Sequence, residues 1–124
     1  MRNQELRDRT KQFALRVVRM FCALPKTPQA HVLGKQALRS GTSVAANYRE
    51  ATRARSTAEF AAKFGLVEQE LDETLLWLEL LVESGIVAAA RMASLRQEAE
   101  ELLRITVASI KRSIQSRSSR RPAE

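Results

Sequence analysis

Residues 56–85 read STAEFAAKFGLVEQELDETLLWLELLVESG, and the fold class follows from this stretch. Ser56 with Glu59 three residues later is a capping box, so a helix starts near residue 57. Phe60, Phe64, Val67, Leu71, Leu75, Leu78 and Val82 then recur every three or four residues, which places them on one face of an α-helix. Gly85 stands where a helix C-terminus favours a residue with positive φ.

The flanking segments repeat the pattern. Upstream, Thr27 is a good N-cap and Pro28 suits the first helical position, where its missing N–H costs nothing. A helix over 28–54 turns Leu33, Ala37, Gly41, Val44, Tyr48 and Ala51 inward. Gly34 and Gly41 weaken an isolated helix by about 1 kcal/mol each relative to Ala, so they imply close helix–helix approach or a kink at residues 40–43. The segment 4–24 carries the stripe Leu6, Thr10, Phe13, Val17, Met20 and Leu24, and Pro25-Lys-Thr-Pro28 ends it. A fourth helix over 88–115 aligns Met92, Leu95, Ala99, Leu102, Thr106 and Ile110.

Four amphipathic helices joined by short turns predict an all-α, antiparallel up-down-up-down four-helix bundle over residues 1–115. A Ser/Arg-rich tail over 116–124 is predicted to be disordered. With 124 residues the chain is one domain. The single cysteine, Cys22, excludes an internal disulfide and a multi-cysteine metal site; it reads as a core or interface residue on helix 1. The chain shows no signal peptide, and no apolar run approaches the ~20 residues of a membrane span, so a cytoplasmic protein is expected.

Around Trp77 the apolar positions cover most of the helix circumference, and Leu76, Trp77 and Leu80 lie off the main stripe. An all-round apolar segment is buried on more than one side. A thick core explains this plainly. A subunit interface explains it better, because an exposed Trp-Leu patch invites association.

Charge is sorted along the chain. Residues 1–55 hold twelve Lys/Arg and three acids; residues 56–90 hold one Lys and seven acids; residues 91–124 hold eight Lys/Arg and four acids. The chain carries a net +7. On helix 2, Lys35, Arg39, Arg49 and Arg53 share one face opposite the apolar stripe, and Arg55 extends the run into the turn. On helix 1, Arg9, Arg16 and Arg19 make a similar row. A solvated face is the ordinary meaning of such a row, but the scarcity of acids nearby favours a polyanion. Cations repeating every turn suit the phosphates of RNA or DNA, with weak sequence selectivity because aromatic interleaving is poor.

Little points to catalysis. His31 is alone and reads as a first-turn surface residue, and no phosphate-loop motif occurs. The pairs Glu70-x-x-Glu73 and Glu98-x-x-Glu101 resemble the acidic motifs of all-α nucleotide pyrophosphohydrolases, whose oxygens hold Mg²⁺ beside phosphates. Those motifs normally finish with Asp where this chain has Glu101. Asn47, Glu50, Glu73 and Thr74 flank the apolar stripes and are expected to form a structural polar network.

The stretch Leu38-Arg-Ser-Gly-Thr-Ser-Val-Ala-Ala-Asn47-Tyr-Arg-Glu50-Ala, then Ser56-x-x-Glu59-Phe60, then Glu70-x-x-Glu73-Thr74, is similar to the four-helix-bundle proteins of the 23S ribosomal RNA intervening-sequence family. With helix 1 and the Leu24-Pro-Lys-Thr-Pro28 turn, the resemblance covers about residues 10–112. It marks Asn47, Glu50, Glu73 and Thr74 as signature positions, and it implies a small homopentameric bundle. A related branch, the accessory variability protein of diversity-generating retroelements, implies nucleic acid and a reverse transcriptase as partners. This chain has Ala51 where many members carry Gly.

The expectation is therefore a non-enzymatic, homo-oligomeric nucleic-acid-binding or accessory protein without cofactor or metal. A protein-interaction module without nucleic acid is the first alternative, and Mg²⁺-dependent nucleotide hydrolysis is the second.

Overall fold

The computed structural model describes residues 3–119. Four helices make up the fold: α1 Asn3–Ala23, α2 Pro28–Thr52, α3 Thr57–Glu83 and α4 Ala89–Ser119, with no strand among the described residues. Around the bundle α1 packs on α2, α2 on α3, α3 on α4 and α4 back on α1. Helices α1 and α3 stand diagonally across the core.

Local chemistry sets each end. Thr27 accepts a hydrogen bond from the Ala30 N–H at 3.2 Å and caps α2, with Pro28 in its first turn. Ser56 accepts from the Glu59 N–H at 3.0 Å. The return arm of this box reaches one residue further than expected, since Glu59 accepts from the backbone N–H of Arg55. At the far end of α3, Gly85 has φ 80°, its N–H donates to Val82, and the N–H of Ile86 donates to Leu81. This is a Schellman motif, and it satisfies carbonyls that the helix end would otherwise leave open. Helix α4 continues to Ser119, past the expected boundary at 115; no Pro or Gly occurs before Pro122 to stop it. Residues 120–124 of the expected tail lie outside the described residues.

Most predicted stripe positions are buried, but Met20, Phe60, Leu75, Val82 and Ile110 are only half-buried, and Leu81, outside the expected α3 stripe, is fully buried. Phe13, Val17, Val44, Tyr48, Phe64, Val67, Leu71, Leu78, Leu81, Met92 and Leu102 are buried. Each large side chain removed from water in this way contributes roughly 1.5–3 kcal/mol. Tyr48 and Phe60 both pack edge-on against Phe64, at centroid distances of 5.6 and 4.9 Å. Burial pushes the Tyr48 hydroxyl up to about 12.

Two further positions depart from expectation. Leu33 is only half-buried, because Ala30, Gly34 and Ser40 take the inner positions of α2. Cys22, expected in the core or at an interface, is exposed in the single chain and so is not a core residue, since the inward face of α1 near its end belongs to Val17 and Leu24. The choice left open at Gly41 is resolved as close approach. Helix α2 is continuous there, and a Cβ on Gly41 would lie 2.8 and 2.9 Å from the two methyl carbons of Val17.

Candidate functional site

The basic residues singled out in the N-terminal half fall into three groups. Arg39 on α2 reaches across to α3 and pairs with Glu70 at 3.1 Å and Glu73 at 3.2 Å. Arg9 on α1 reaches α4 and pairs with Glu98 at 2.8 Å and Glu101 at 2.9 Å. In both cases carboxylates three residues apart on one helix stand on the same side, and a guanidinium from the next helix bridges them. The acids missing from residues 1–55 are thus supplied by neighbouring helices. Glu73 is held above the usual carboxylate range, first by its hydrogen bond with Glu70 and then by desolvation and the charge of Glu70, with Arg39 opposing.

Lys35, Arg49, Arg53 and Arg55 form the second group. Lys35, Arg53 and Arg55 are exposed, Arg49 is half-buried, and none has an ion-pair partner among the described residues. They follow α2 from its second turn to the loop before α3. Four unpaired cations at this spacing keep their electrostatic reach for an external anion.

Arg16 and Arg19 are placed elsewhere. Together with Arg91 of α4 they rim a groove of about 730 Å³ between the end of α1 and the start of α4. Its floor is apolar, with Met20, Leu24, Val87 and Met92, and no acid lines it. Arg16 donates to the Ser94 hydroxyl at 2.8 Å.

The four signature positions do not form one network. Thr74 is fully buried and its hydroxyl hydrogen-bonds that of Ser40 at 2.8 Å across the α2–α3 seam. Glu50 pairs with Lys63 at 3.2 Å, Glu73 belongs to the Arg39 clamp, and Asn47 is half-buried on α2. Ser40, the partner Thr74 requires, escaped the sequence reading; its position three residues after Ala37 on the buried face is the only signal for it.

On α3, Leu76 and Leu80 point outward, 47% and 36% exposed. Trp77 is different: it is half-buried against the core, with its indole N–H buried and unpartnered. The acidic pairs Glu70/Glu73 and Glu98/Glu101 are not brought together. Each closes on its own arginine, and no group of three metal-ligating side chains occurs among the described residues. None of the described helices is long and apolar enough to cross a membrane.

These features define a class: small all-helical four-helix bundles. The 23S rRNA-intervening sequence protein family model matches residues 2–108, and the chain belongs to that family. It is also similar to a crystal structure of a protein of unknown function from the S23 ribosomal protein family of Bacteroides thetaiotaomicron, at 34% identity and a TM-score of 0.83, over 90% of this chain and 99% of that one. No curated protein matches the chain.

Proposed function

We propose that this chain is a non-enzymatic accessory protein that binds RNA or DNA through phosphate contacts along α2. The row Lys35, Arg49, Arg53 and Arg55 carries this reading: it has no ion-pair partner among the described residues, whereas Arg9 and Arg39 of the same basic segment are clamped and Arg16 and Arg19 rim the groove. The chain runs as an antiparallel up-down-up-down bundle and acts in the cytoplasm as a homo-oligomer, with five copies the number the family resemblance implies. A ring of subunits multiplies a modest site, so a long strand binds tightly. A reverse transcriptase is the protein partner that the same resemblance suggests.

The test is a salt titration of the full chain with RNA and with duplex DNA. If each contact neutralises one phosphate, the slope of log affinity against log salt on duplex DNA is about −0.9 per contact. Replacing Arg49 and Arg53 with Glu should weaken binding to all sequences alike. A parallel variant with Arg117, Arg120 and Arg121 changed to Ser removes cations near the C-terminus. If that variant loses binding while the α2 double substitution keeps it, the α2 reading fails.

A further inference from the structure

We propose that the arginine-rimmed groove between α1 and α4 is filled by the outer face of α3 from a second copy of this chain. This rests on the homo-oligomeric reading above and names the two surfaces that would meet. The groove presents Arg16, Arg19 and Arg91 around an apolar floor, and none of the three forms an ion pair among the described residues. The outer face of α3 presents the converse pattern. Asp72, Leu76, Leu80 and Glu83 are all exposed and follow one another at spacings of four, four and three, which aligns them along one narrow stripe. Neither Asp72 nor Glu83 has an ion-pair partner among the described residues, whereas Glu70, Glu73 and Glu79 on the same helix do. An acid–leucine–leucine–acid stripe suits a cationic rim with an apolar floor in both charge and polarity.

The same chain cannot bring these surfaces together, because α1 and α3 stand diagonally and the stripe faces outward. A nucleic acid fits the groove less well: its floor offers methionine and aliphatic carbon, which give a phosphate backbone no partner. Groove and stripe are different surfaces, so the contact is head-to-tail and recurs from subunit to subunit. Both also lie at the same level of the bundle. Stripe residues occupy the last three turns of α3, and the turn that follows supplies Ile86, Val87 and Ala88 to the groove wall. Subunits joined without axial displacement form a ring where the rotation from one copy to the next closes.

A charge exchange in the full-length chain tests this, with particle mass read by light scattering at micromolar concentration and helicity by circular dichroism. The unmodified chain is expected to form a particle several times 14.0 kDa. Asp72→Arg with Glu83→Arg should reduce it to a folded 14.0 kDa species, as should Arg19→Glu with Arg91→Glu. All four substitutions in one chain should restore the assembly, since both surfaces are then reversed together. An unmodified particle of 14.0 kDa overturns the oligomeric reading and this inference with it. A large particle unaffected by either pair, or a fourfold variant that stays monomeric, overturns the groove assignment alone. Affinity for nucleic acid restored to the groove-reversed monomer only by removing the new acids would assign the groove to phosphate instead and likewise overturn it.

Discussion

Arg39 on α2 and Glu73 on α3 meet at 3.2 Å, and the same guanidinium holds Glu70 at 3.1 Å. Arg9 repeats the arrangement on Glu98 and Glu101 between α1 and α4. Each clamp joins two helices through one cation and two anions, and so fixes their register as well as their charge balance.

The Arg9 clamp should contribute measurably to stability. The side chains of Arg9 and Glu98 are 24% and 18% exposed, so Arg9→Met strands a largely covered carboxylate. A loss of about 1–2 kcal/mol in urea unfolding is expected. Arg96→Met is the control: its partners Glu79 and Glu100 are 37% and 43% exposed, and the change should stay within about 0.5 kcal/mol.

The buried hydroxyl pair should behave asymmetrically. Thr74→Val leaves Ser40 only its long 3.4 Å bond to the Ala37 carbonyl in a dry seam and should cost about 1–3 kcal/mol. Adding Ser40→Ala removes the stranded group, so the double variant should be more stable than Thr74→Val alone. Denaturant midpoints of the three variants check the sign.

The glycines should respond in opposite directions. Gly41→Ala drives a methyl against Val17 and should destabilise by about 1–3 kcal/mol. Gly65→Ala meets nothing within 4 Å and removes a helix-weakening glycine, so it should stabilise by up to about 1 kcal/mol. Paired thermal melts decide between them.

Glu73 makes a pH prediction. Its folded-state pKa is raised, chiefly by the hydrogen bond with Glu70, so the folded chain holds a proton more tightly than the unfolded chain does. That contribution is fully present below the ordinary Glu range and is lost as pH rises through the raised value. The stability of Glu73→Gln relative to the unmodified chain should therefore improve between acidic and neutral pH. Urea unfolding across that interval tests it; a difference that falls instead would contradict the assignment.

Nucleotide hydrolysis should be absent. Incubation of the pure chain with a panel of nucleoside triphosphates and Mg²⁺ should release no pyrophosphate above the protein-free rate, because the two acidic pairs sit on separate arginine clamps. Turnover abolished by Glu73→Gln would reverse that reading.

Periodicity, caps and turn residues made the helices, their ends and nearly all of the core legible in one dimension. Hydrogen bonds at Thr27 and Ser56 and the turn at Gly85 depend on residues within a few positions, and a stripe such as Phe64-Val67-Leu71 states which face is buried whatever covers it. The excess of apolar residues near Leu76 and Leu80 was legible for the same reason.

Neighbours are a different matter, because a helical repeat says which residues share a face but not what stands opposite. Charge and spacing along residues 1–55 predicted a basic row on helix 2 and a similar row on helix 1. Folding brought Glu70, Glu73, Glu98 and Glu101 from distant segments onto Arg39 and Arg9, while Lys35 and Arg49 on α2, and Arg53 and Arg55 just after it, kept no ion-pair partner among the described residues. The packing of Gly41 on Val17, the bond between Ser40 and Thr74, and the groove that gathers Arg16, Arg19 and Arg91 were settled in the same way. Each depends on how far apart two helix axes lie and how they are rotated, and those quantities exist only once the helices have packed.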